Sequence, residues 1–187
     1  MNESKIPSLG FVLLGLLQQK ASSGYDLRKA LSSTAMKTYS DSPGAIYPAL
    51  RRLEKHGLIR GSAENRAGSR RRRVFRMTRK GLAALKKWIA LPVTQEDLVR
   101  GQQEIMLRFA LSEPTAGPAA ALALLRSLQN VLKAYIPVLQ DQLNSTRSIL
   151  PTSGRLAFEY GIQGYKALLE WSRFAAASYE RGKEGTS

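Results

Sequence analysis

The chain has 187 residues, of which 43% are hydrophobic and none is cysteine. That hydrophobic fraction excludes a disordered chain, and the lack of cysteine excludes disulfide frameworks, thiolate catalysis and cysteine-ligated metal sites. The first residues show no basic run that leads into an apolar segment, and no apolar stretch reaches the ~18 residues of a membrane helix. We therefore expect a cytoplasmic protein.

The positive charge is concentrated in one half of the chain. The formal net charge is +15, from 29 Lys and Arg against 14 Asp and Glu. Residues 1–91 hold 19 of these basic and 5 of these acidic residues, so residues 92–187 are almost neutral. Solubility alone would not polarise the charge in this way, so the distribution indicates an N-terminal surface for a polyanion. It predicts two domains, residues 1–91 and residues 92–187.

Two helices are predicted in the first part of the chain. The first covers residues 9–19 and buries residues that recur at helical spacing, namely Leu9, Val12, Leu13, Leu16 and Leu17. Ser22 and Ser23 are suited to cap the second helix. Leu27, Ala30 and Leu31 face inward in this second helix, which leaves Tyr25, Arg28 and Lys29 for solvent or a partner.

The third helix is predicted within residues 41–57. Ser42 can cap free amides, Pro43 suits a first helical turn, and Gly57 suits a left-handed stop. Ile46, Leu50 and Leu53 form the apolar stripe. The other faces are small at the N-terminal end and cationic further along, and consist of Gly44, Ala45, Tyr47, Pro48, Arg51, Arg52 and Lys55. This order favours entry into the DNA major groove, because small leading residues permit close approach to base edges and later arginines reach phosphate or guanine.

A basic hairpin is predicted next. Residues 58–62 and 70–78 are expected to be strands, joined by a turn over residues 63–69. Four consecutive arginines, Arg70, Arg71, Arg72 and Arg73, place charge on both faces of the second strand, so neither face can be dry there. Val74 or Phe75, with Met77, is expected to anchor the far end. A hairpin of this kind suits phosphate contacts or arginine insertion into a minor groove.

The fourth helix is expected to begin near Thr78 and to run to Leu91. Its first turn holds Arg79 and Lys80, although acidic residues are the usual stabilising neighbours of the positive end of a helix dipole. A nearby phosphate would compensate for this charge.

These segments together resemble the PadR family of transcriptional regulators. The resemblance is carried by the recognition helix Ser-Pro-Gly-Ala-Ile-Tyr-Pro-Ala-Leu-Arg-Arg-Leu-Glu at residues 42–54, by Gly-Leu-Ile at the hairpin entry, and by Thr-x-x-Gly at residues 78–81. The chain departs from the family pattern at Ser23, where a histidine is usual, in the hairpin run without proline, and at Arg79 and Lys80, where Pro-Glu is common. The last two departures add positive charge and predict tighter, more salt-sensitive DNA binding.

The resemblance implies a fold class and partners. The fold would be mainly α with a small β-hairpin wing, that is, a winged helix-turn-helix DNA-binding domain over residues 1–91 followed by a helical dimerisation domain of three helices over residues 92–187. The partners would be double-stranded operator DNA, a second copy of the chain, and a small-molecule effector, which is phenolic for some family members. The commoner role in the family is repression.

The C-terminal half is predicted to be helical. A first helix is expected to start at Thr94 and to bury Leu98, Ile105, Met106 and Phe109. A second helix is expected over roughly residues 115–148, with a kink at Pro137. A third is expected over roughly residues 155–181. Three helices with so much apolar surface need a partner, and a two-fold dimer would also space two recognition helices on an inverted repeat. The aromatic residues of the last helix either pack in the core or line an effector pocket.

No catalytic or metal site is expected. His56 is the only histidine and suits the C-terminal end of a helix, and the carboxylates are scattered. No glycine run matches a phosphate-binding or dinucleotide-binding motif, so no cofactor is expected.

The sequence therefore predicts a regulator that binds DNA and is not an enzyme. The predicted DNA-binding residues are Tyr25, Ser42, Pro43, Gly44, Ala45, Tyr47, Pro48, Arg51, Arg52, Arg70, Arg71, Arg72, Arg73, Arg79 and Lys80. Two alternatives stay open. The chain could bind nucleic acid without sequence preference as an architectural protein, or could use its basic half on a membrane surface, although no helix combines a cationic face with exposed bulky apolar residues.

Overall fold

The computed structural model describes residues 6–33, 42–64 and 72–184. Its elements are α1 (Ser8–Gln19), β1 (Ser22–Ser23), α2 (Gly24–Ser33), α3 (Pro43–Lys55), β2 (Ile59–Glu64), β3 (Arg72–Met77), α4 (Arg79–Ile89), α5 (Gln95–Arg100), α6 (Gln102–Ala116), α7 (Pro118–Thr146) and α8 (Thr152–Glu184). The expected fold class, mainly α with a small β-sheet wing, is confirmed. The chain forms two compact units, Met1–Trp88 and Ile89–Ser187. Separate roles for residues 1–91 and 92–187 stay a prediction.

The sheet has three strands in the order β1-β3-β2, and both pairs are antiparallel. The predicted antiparallel pairing of β2 with β3 is present, and β1 adds a third strand that the sequence did not predict, because Ser22 and Ser23 pair with Phe75 and Val74. Two serines carry no local strand signal, so this pairing depends on the tertiary fold. We call β2 and β3 the wing. Ala63 and Glu64, predicted in the turn, belong to β2, and residues 65–71 lie outside the described part of the chain.

The core of the N-terminal unit surrounds α1. Seven residues of α1 are buried, including Phe11 and Leu14, so the helix is covered on more faces than the predicted stripe required. The Phe11 ring stacks on the indole of Trp88, with centroids 4.2 Å apart. Val74 and Phe75 are both buried. Consecutive side chains of a strand point to opposite faces, so both faces of β3 are covered at this point and not one only, as the sequence suggested.

The C-terminal unit has four helices, which corrects the predicted three. The expected helix from Thr94 is broken at Gly101 into α5 and α6, and Thr94 forms a capping box with Asp97 at the start of α5. Gly117, with φ of +83°, separates α6 from α7 at a point where the sequence predicted continuous helix. α7 continues through Pro137 to Thr146.

The core of this unit is built mainly by α7, which contributes every third or fourth residue. Its buried members are Val93, Leu98, Ile105, Leu128, Leu132, Ile136, Leu139, Leu143 and Ile162. Helical spacing in the sequence predicted these residues except Val93 and Leu128. Among the described residues, no helix is both long enough and apolar enough to cross a membrane.

Candidate nucleic-acid interface

The helix α3 has one buried and one exposed face. Ile46, Leu50 and Leu53 are buried, as the stripe predicted, and Ala49 is buried with them. The Ser42 hydroxyl accepts the backbone N–H of Ala45 at 3.2 Å, so it caps the helix, and Pro43 occupies the first turn. Gly57 has a φ of +70°, which lets the chain turn out of the helix towards β2.

The exposed face of α3 is small at its start and cationic at its end. Gly44 is exposed and Ala45 is half-buried. Arg51, Arg52 and Lys55 are exposed in the later turns. Pro48 has no N–H to donate to the carbonyl of Gly44, so the early part of this helix leaves one backbone acceptor available for another donor. The predicted order of residue types is therefore present on one accessible helix face.

Tyr47 joins the starts of two helices. Its side chain is 44% exposed, and that of Tyr25 in α2 is 59% exposed. A Cβ atom added at Gly24 would lie 2.7 Å from Cε1 and 3.2 Å from Cζ of the Tyr47 ring. The close approach of the Tyr47 ring to α2 therefore requires glycine at position 24.

Arg72 and Arg73, at the start of β3, each form an ion pair. Nη2 of Arg72 lies 2.8 Å from Oδ1 of Asp26, and the guanidinium lies 5.6 Å from the centroid of the Tyr25 ring. Nη2 of Arg73 lies 2.8 Å from Oε1 of Glu54, and its guanidinium lies 5.5 Å from the Phe75 ring centroid. Arg70 and Arg71, predicted to contact DNA with them, lie outside the described residues.

The Asp26 carboxylate bonds both to Ser23, at the start of α2, and to Arg72 in β3. Oδ2 accepts the backbone N–H of Ser23 at 3.2 Å and the hydroxyl of Ser23 at 2.8 Å, while the Ser23 hydroxyl accepts the N–H of Asp26. Burial raises the pKa of Asp26, but the hydrogen bonds from Ser23 and the guanidinium of Arg72 outweigh it and hold the pKa below its ordinary value. The carboxylate is therefore ionised at neutral pH and holds α2 and β3 together.

An open cleft lies between the start of α2, α3 and β3. Its volume is about 310 Å³, with Leu50 and Phe75 among its apolar lining residues. The polar residues around it are Ser23, Tyr25, Tyr47, Arg51, Glu54, Arg72 and Arg73. Five of the predicted DNA-binding residues are thus brought together by the fold, whereas Arg52, Arg79 and Lys80 do not line the cleft.

The start of α4 is held by a hydroxyl cap. Thr78 Oγ1 accepts the backbone N–H of Gly81 at 3.1 Å and lies 2.7 Å from the carbonyl oxygen of Gly57, to which it donates. Arg79 and Lys80 are exposed, and no acidic residue occupies the first turn. The cap supplies the local stabilisation that the sequence seemed to lack, and both cations remain accessible to an anion.

Sequence reasoning missed the acidic partners of the wing. Asp26 follows Ser23 at the spacing of a capping box, which was an available signal. Glu54 lies among basic residues of α3. No neighbouring residue in the sequence indicates that it contacts β2 and β3. Outside the cleft, Arg60 and Arg76 lie opposite each other across the wing and are both exposed.

The C-terminal unit shows where its candidate effector residues lie. Phe158 and Tyr165 pack against the core, whereas Tyr160 and Phe174 are exposed on α8. Trp171 meets the Phe109 ring edge to face, with centroids 5.4 Å apart. Among the described residues, no group of His, Cys, Asp or Glu could hold a metal ion.

Comparison with known proteins gives a family match in the N-terminal unit. Residues 13–87 match the model of the transcriptional regulator PadR-like family. The transcriptional regulator YqjI of Escherichia coli is 41% identical over 51 residues, which are 27% of this chain and 25% of that protein. The match thus spans a quarter of the length of this curated relative.

Two solved structures are similar over most of the chain. A PadR-like transcriptional regulator from Bacillus cereus is 22% identical, with 96% of this chain and 99% of that chain covered and a TM-score of 0.42. The Bacillus subtilis PadR in complex with operator DNA is 20% identical, with 92% and 98% covered and a TM-score of 0.44.

Proposed function

On the premise that residues 13–87 form a PadR-like transcriptional-regulator domain, we propose that this chain is a sequence-specific repressor that binds an inverted repeat as a homodimer in the cytoplasm. The observation that carries the proposal is the exposed face of α3. A capped helix that is small at its start and cationic at its end fits the major groove, where its first residues approach base edges.

The remaining predicted DNA-binding residues frame this helix in the proposal. Tyr25 and Tyr47 would contact phosphate or bases beside the cleft, and Arg79 and Lys80 would contact the backbone from the start of α4. Arg70 and Arg71, together with Arg72 and Arg73, were predicted to act at the flanking groove. A role as a regulator and not an enzyme accords with the family of the N-terminal unit.

The homodimer is supported by an exposed apolar seam on α8. Leu156, Tyr160, Ala167, Trp171 and Phe174 recur at multiples of three and four residues, which places them on one side of the helix. Tyr160 is 81% and Phe174 is 66% exposed. Bulky apolar side chains in a row of this kind are typical of an interface, and a second copy would cover them with the same seam.

A small-molecule effector, phenolic for some family members, belongs to the proposal only through the resemblance. Its binding to this chain would change the spacing of the two recognition helices in the dimer and thereby release the operator. Titration of simple phenolic acids into the DNA-bound protein tests this part by itself.

The central experiment is a gel-shift titration of the full chain on its own upstream intergenic DNA and on a scrambled duplex, both at about 150 mM salt, where nonspecific contacts are weak. The proposal predicts a preference of about 10³-fold or more. Equal affinity for both duplexes would favour an architectural protein, the second candidate. Retention on anionic liposomes that competitor DNA does not reverse would favour a membrane-surface role.

A further inference from the structure

We propose that Glu54 and Arg73 form a clasp that sets the position of the wing relative to α3, and that Arg73 acts through this clasp instead of contacting DNA. Both are positioning residues in this proposal. It rests on the proposed function, since it concerns how the protein distinguishes its operator from other DNA. It also reassigns one of the four consecutive arginines at residues 70–73 that were predicted to contact DNA.

One carboxylate joins three elements. Nη2 of Arg73 donates to both oxygens of Glu54, at 2.8 and 2.9 Å. Oε1 of Glu54 also accepts the backbone N–H of Gly61, at 2.9 Å. Glu54 is in the last turn of α3, Gly61 is in β2 and Arg73 is in β3, so this side chain connects the recognition helix to both strands of the wing.

Glu54 provides a hydrogen-bond acceptor for the backbone N–H of Gly61, which lies in an edge strand. Among the described strands, β2 pairs with β3 only, so alternate backbone N–H groups of β2 face away from the sheet. The N–H of Gly61 is one of these, and Glu54 accepts it. A Cβ atom at residue 61 would lie 2.5 Å from Nε of Arg73 and 2.9 Å from Oε1 of Glu54. Glycine at this position therefore leaves the space in which the clasp closes.

The ion pair with Glu54 balances the positive charge of Arg73. Both bonds to Glu54 come from Nη2, so a phosphate that approached the other N–H groups of Arg73 would also approach the Glu54 carboxylate, whose side chain is 27% exposed. The like charges of phosphate and carboxylate repel, which disfavours this contact. Arg73 also lies over the Phe75 ring, which further fixes its direction.

Arg76 supplies a matched control. It belongs to the same strand and is exposed, and within the described part of the chain no carboxylate forms an ion pair with it. Arg76→Gln removes one positive charge from β3, as Arg73→Gln does, but leaves the clasp intact.

The sign of the Glu54→Ala effect separates positioning from charge. This substitution makes the protein more positive, so a purely electrostatic role of Glu54 predicts stronger binding to every duplex. The clasp predicts the opposite for the operator, because the wing loses its fixed relation to α3 and the two cannot engage one site together.

The experiment measures affinity of the full chain for operator and scrambled duplexes over a range of salt. Glu54→Ala and Arg73→Gln are each expected to lower the operator preference about tenfold, the order of one mismatched base pair. The double variant should be no worse than either single one, and Arg76→Gln should keep the preference. The slope of log K against log salt should be the same for Arg73→Gln and the wild type.

Three results overturn the clasp. A loss of affinity by Arg73→Gln that is equal on both duplexes, with a slope flatter by about 0.9, would make Arg73 a phosphate contact. Stronger binding of both duplexes by Glu54→Ala would make Glu54 a simple charge. Unchanged preference in both variants would leave the contact without a role in recognition.

A measurement without DNA separates the clasp from the proposed function. Amide hydrogen exchange of residues 59–64 should become faster in Glu54→Ala and Arg73→Gln, while α1 keeps its protection. Glu54→Gln retains an oxygen acceptor for Gly61 and should restore part of the protection. A wild type without operator preference would refute the proposed function but would not by itself refute the clasp. Amide exchange that stayed unchanged in all three variants would refute the clasp.

Discussion

The Tyr47 ring of α3 lies against Gly24 at the start of α2, so closely that a Cβ atom at residue 24 would stand 2.7 Å from Cε1. The contact of this ring with Gly24 thus helps to fix the position of α3 relative to α2. Their relative position decides whether Tyr25 and the exposed face of α3 present one surface.

Gly24→Ala is expected to force the Tyr47 ring aside and to destabilise the fold by about 1–3 kcal/mol, the usual cost of overpacking. Gly24 has no positive φ, so the backbone itself accepts alanine. Urea denaturation followed by circular dichroism measures the change. In a Tyr47→Ala background the same substitution should cost much less, and an equal cost in both backgrounds would show that the ring contact is not its cause.

Gly44→Ala should separate stability from DNA binding. The nearest atom that a Cβ would meet is the hydroxyl oxygen of Ser42, at 3.8 Å, and alanine is favoured over glycine in a helix by about 1 kcal/mol. We therefore expect an unchanged or higher free energy of unfolding but weaker operator binding, because the added methyl group lies where α3 would approach base edges. Operator affinity equal to that of the wild type would mean that residue 44 does not approach the bases.

Gly81→Ala should be among the most destabilising substitutions in the N-terminal unit. A Cβ at this position would collide with the backbone carbonyl oxygen of Leu58, which cannot rotate away as a side chain can. A loss of about 3 kcal/mol or more is expected, as for other severe backbone clashes. Gly161→Ala in α8 is the control, since its Cβ would meet nothing within 4 Å. Similar melting temperatures for the two variants would contradict the assigned role of Gly81.

Most of the helical fold follows from local patterns. Ile46, Leu50 and Leu53 recur at helical spacing, and Ser42 and Gly57 mark the ends of α3, because caps and amphipathic stripes are properties of consecutive residues. The strand at Ser22 was missed, since its pairing with β3 joins segments that are distant in sequence. The break at Gly101 was also missed, although glycine is unfavourable in a helix interior.

Sequence reasoning identified the basic residues of the candidate site but not their acidic partners. Its cations were evident from composition, and the fold brings Arg51, Arg72 and Arg73 to one cleft. Their acidic partners were not evident, because Asp26 and Arg72 are 46 residues apart and a carboxylate gives no local sign of the arginine it pairs with. Charge runs predict which surface attracts an anion, but not which of its cations are already paired.

Asp26 makes part of the stability of the N-terminal unit dependent on pH. Its folded pKa is below the ordinary value of 3.8, so the ionised form is favoured in the folded state. The contribution is therefore complete above about pH 4 and is lost as the pH falls through the folded pKa. Because the ion pair is half-exposed, we expect Asp26→Asn to cost at most about 1 kcal/mol at pH 7, and less as the pH falls below 3.8. Denaturation at several pH values measures this. A pH-independent cost for Asp26→Asn would contradict the lowered pKa.

The α8 seam should decide the oligomeric state. A glutamate in place of Phe174 or Tyr160 would bring two carboxylates together in a self-complementary interface and leave them desolvated, so Phe174→Glu and Tyr160→Glu should shift a dimer to monomers in sedimentation velocity experiments. Val99→Glu is the matched control, because Val99 is 55% exposed and lies on α5, outside the seam. The monomeric variants should also lose operator affinity more than affinity for an isolated half-site, since only the dimer engages both recognition helices on one inverted repeat. If both variants sedimented like the wild type, the seam would not be the dimer interface, and a monomeric wild type at micromolar concentration would remove the inverted repeat from the proposal.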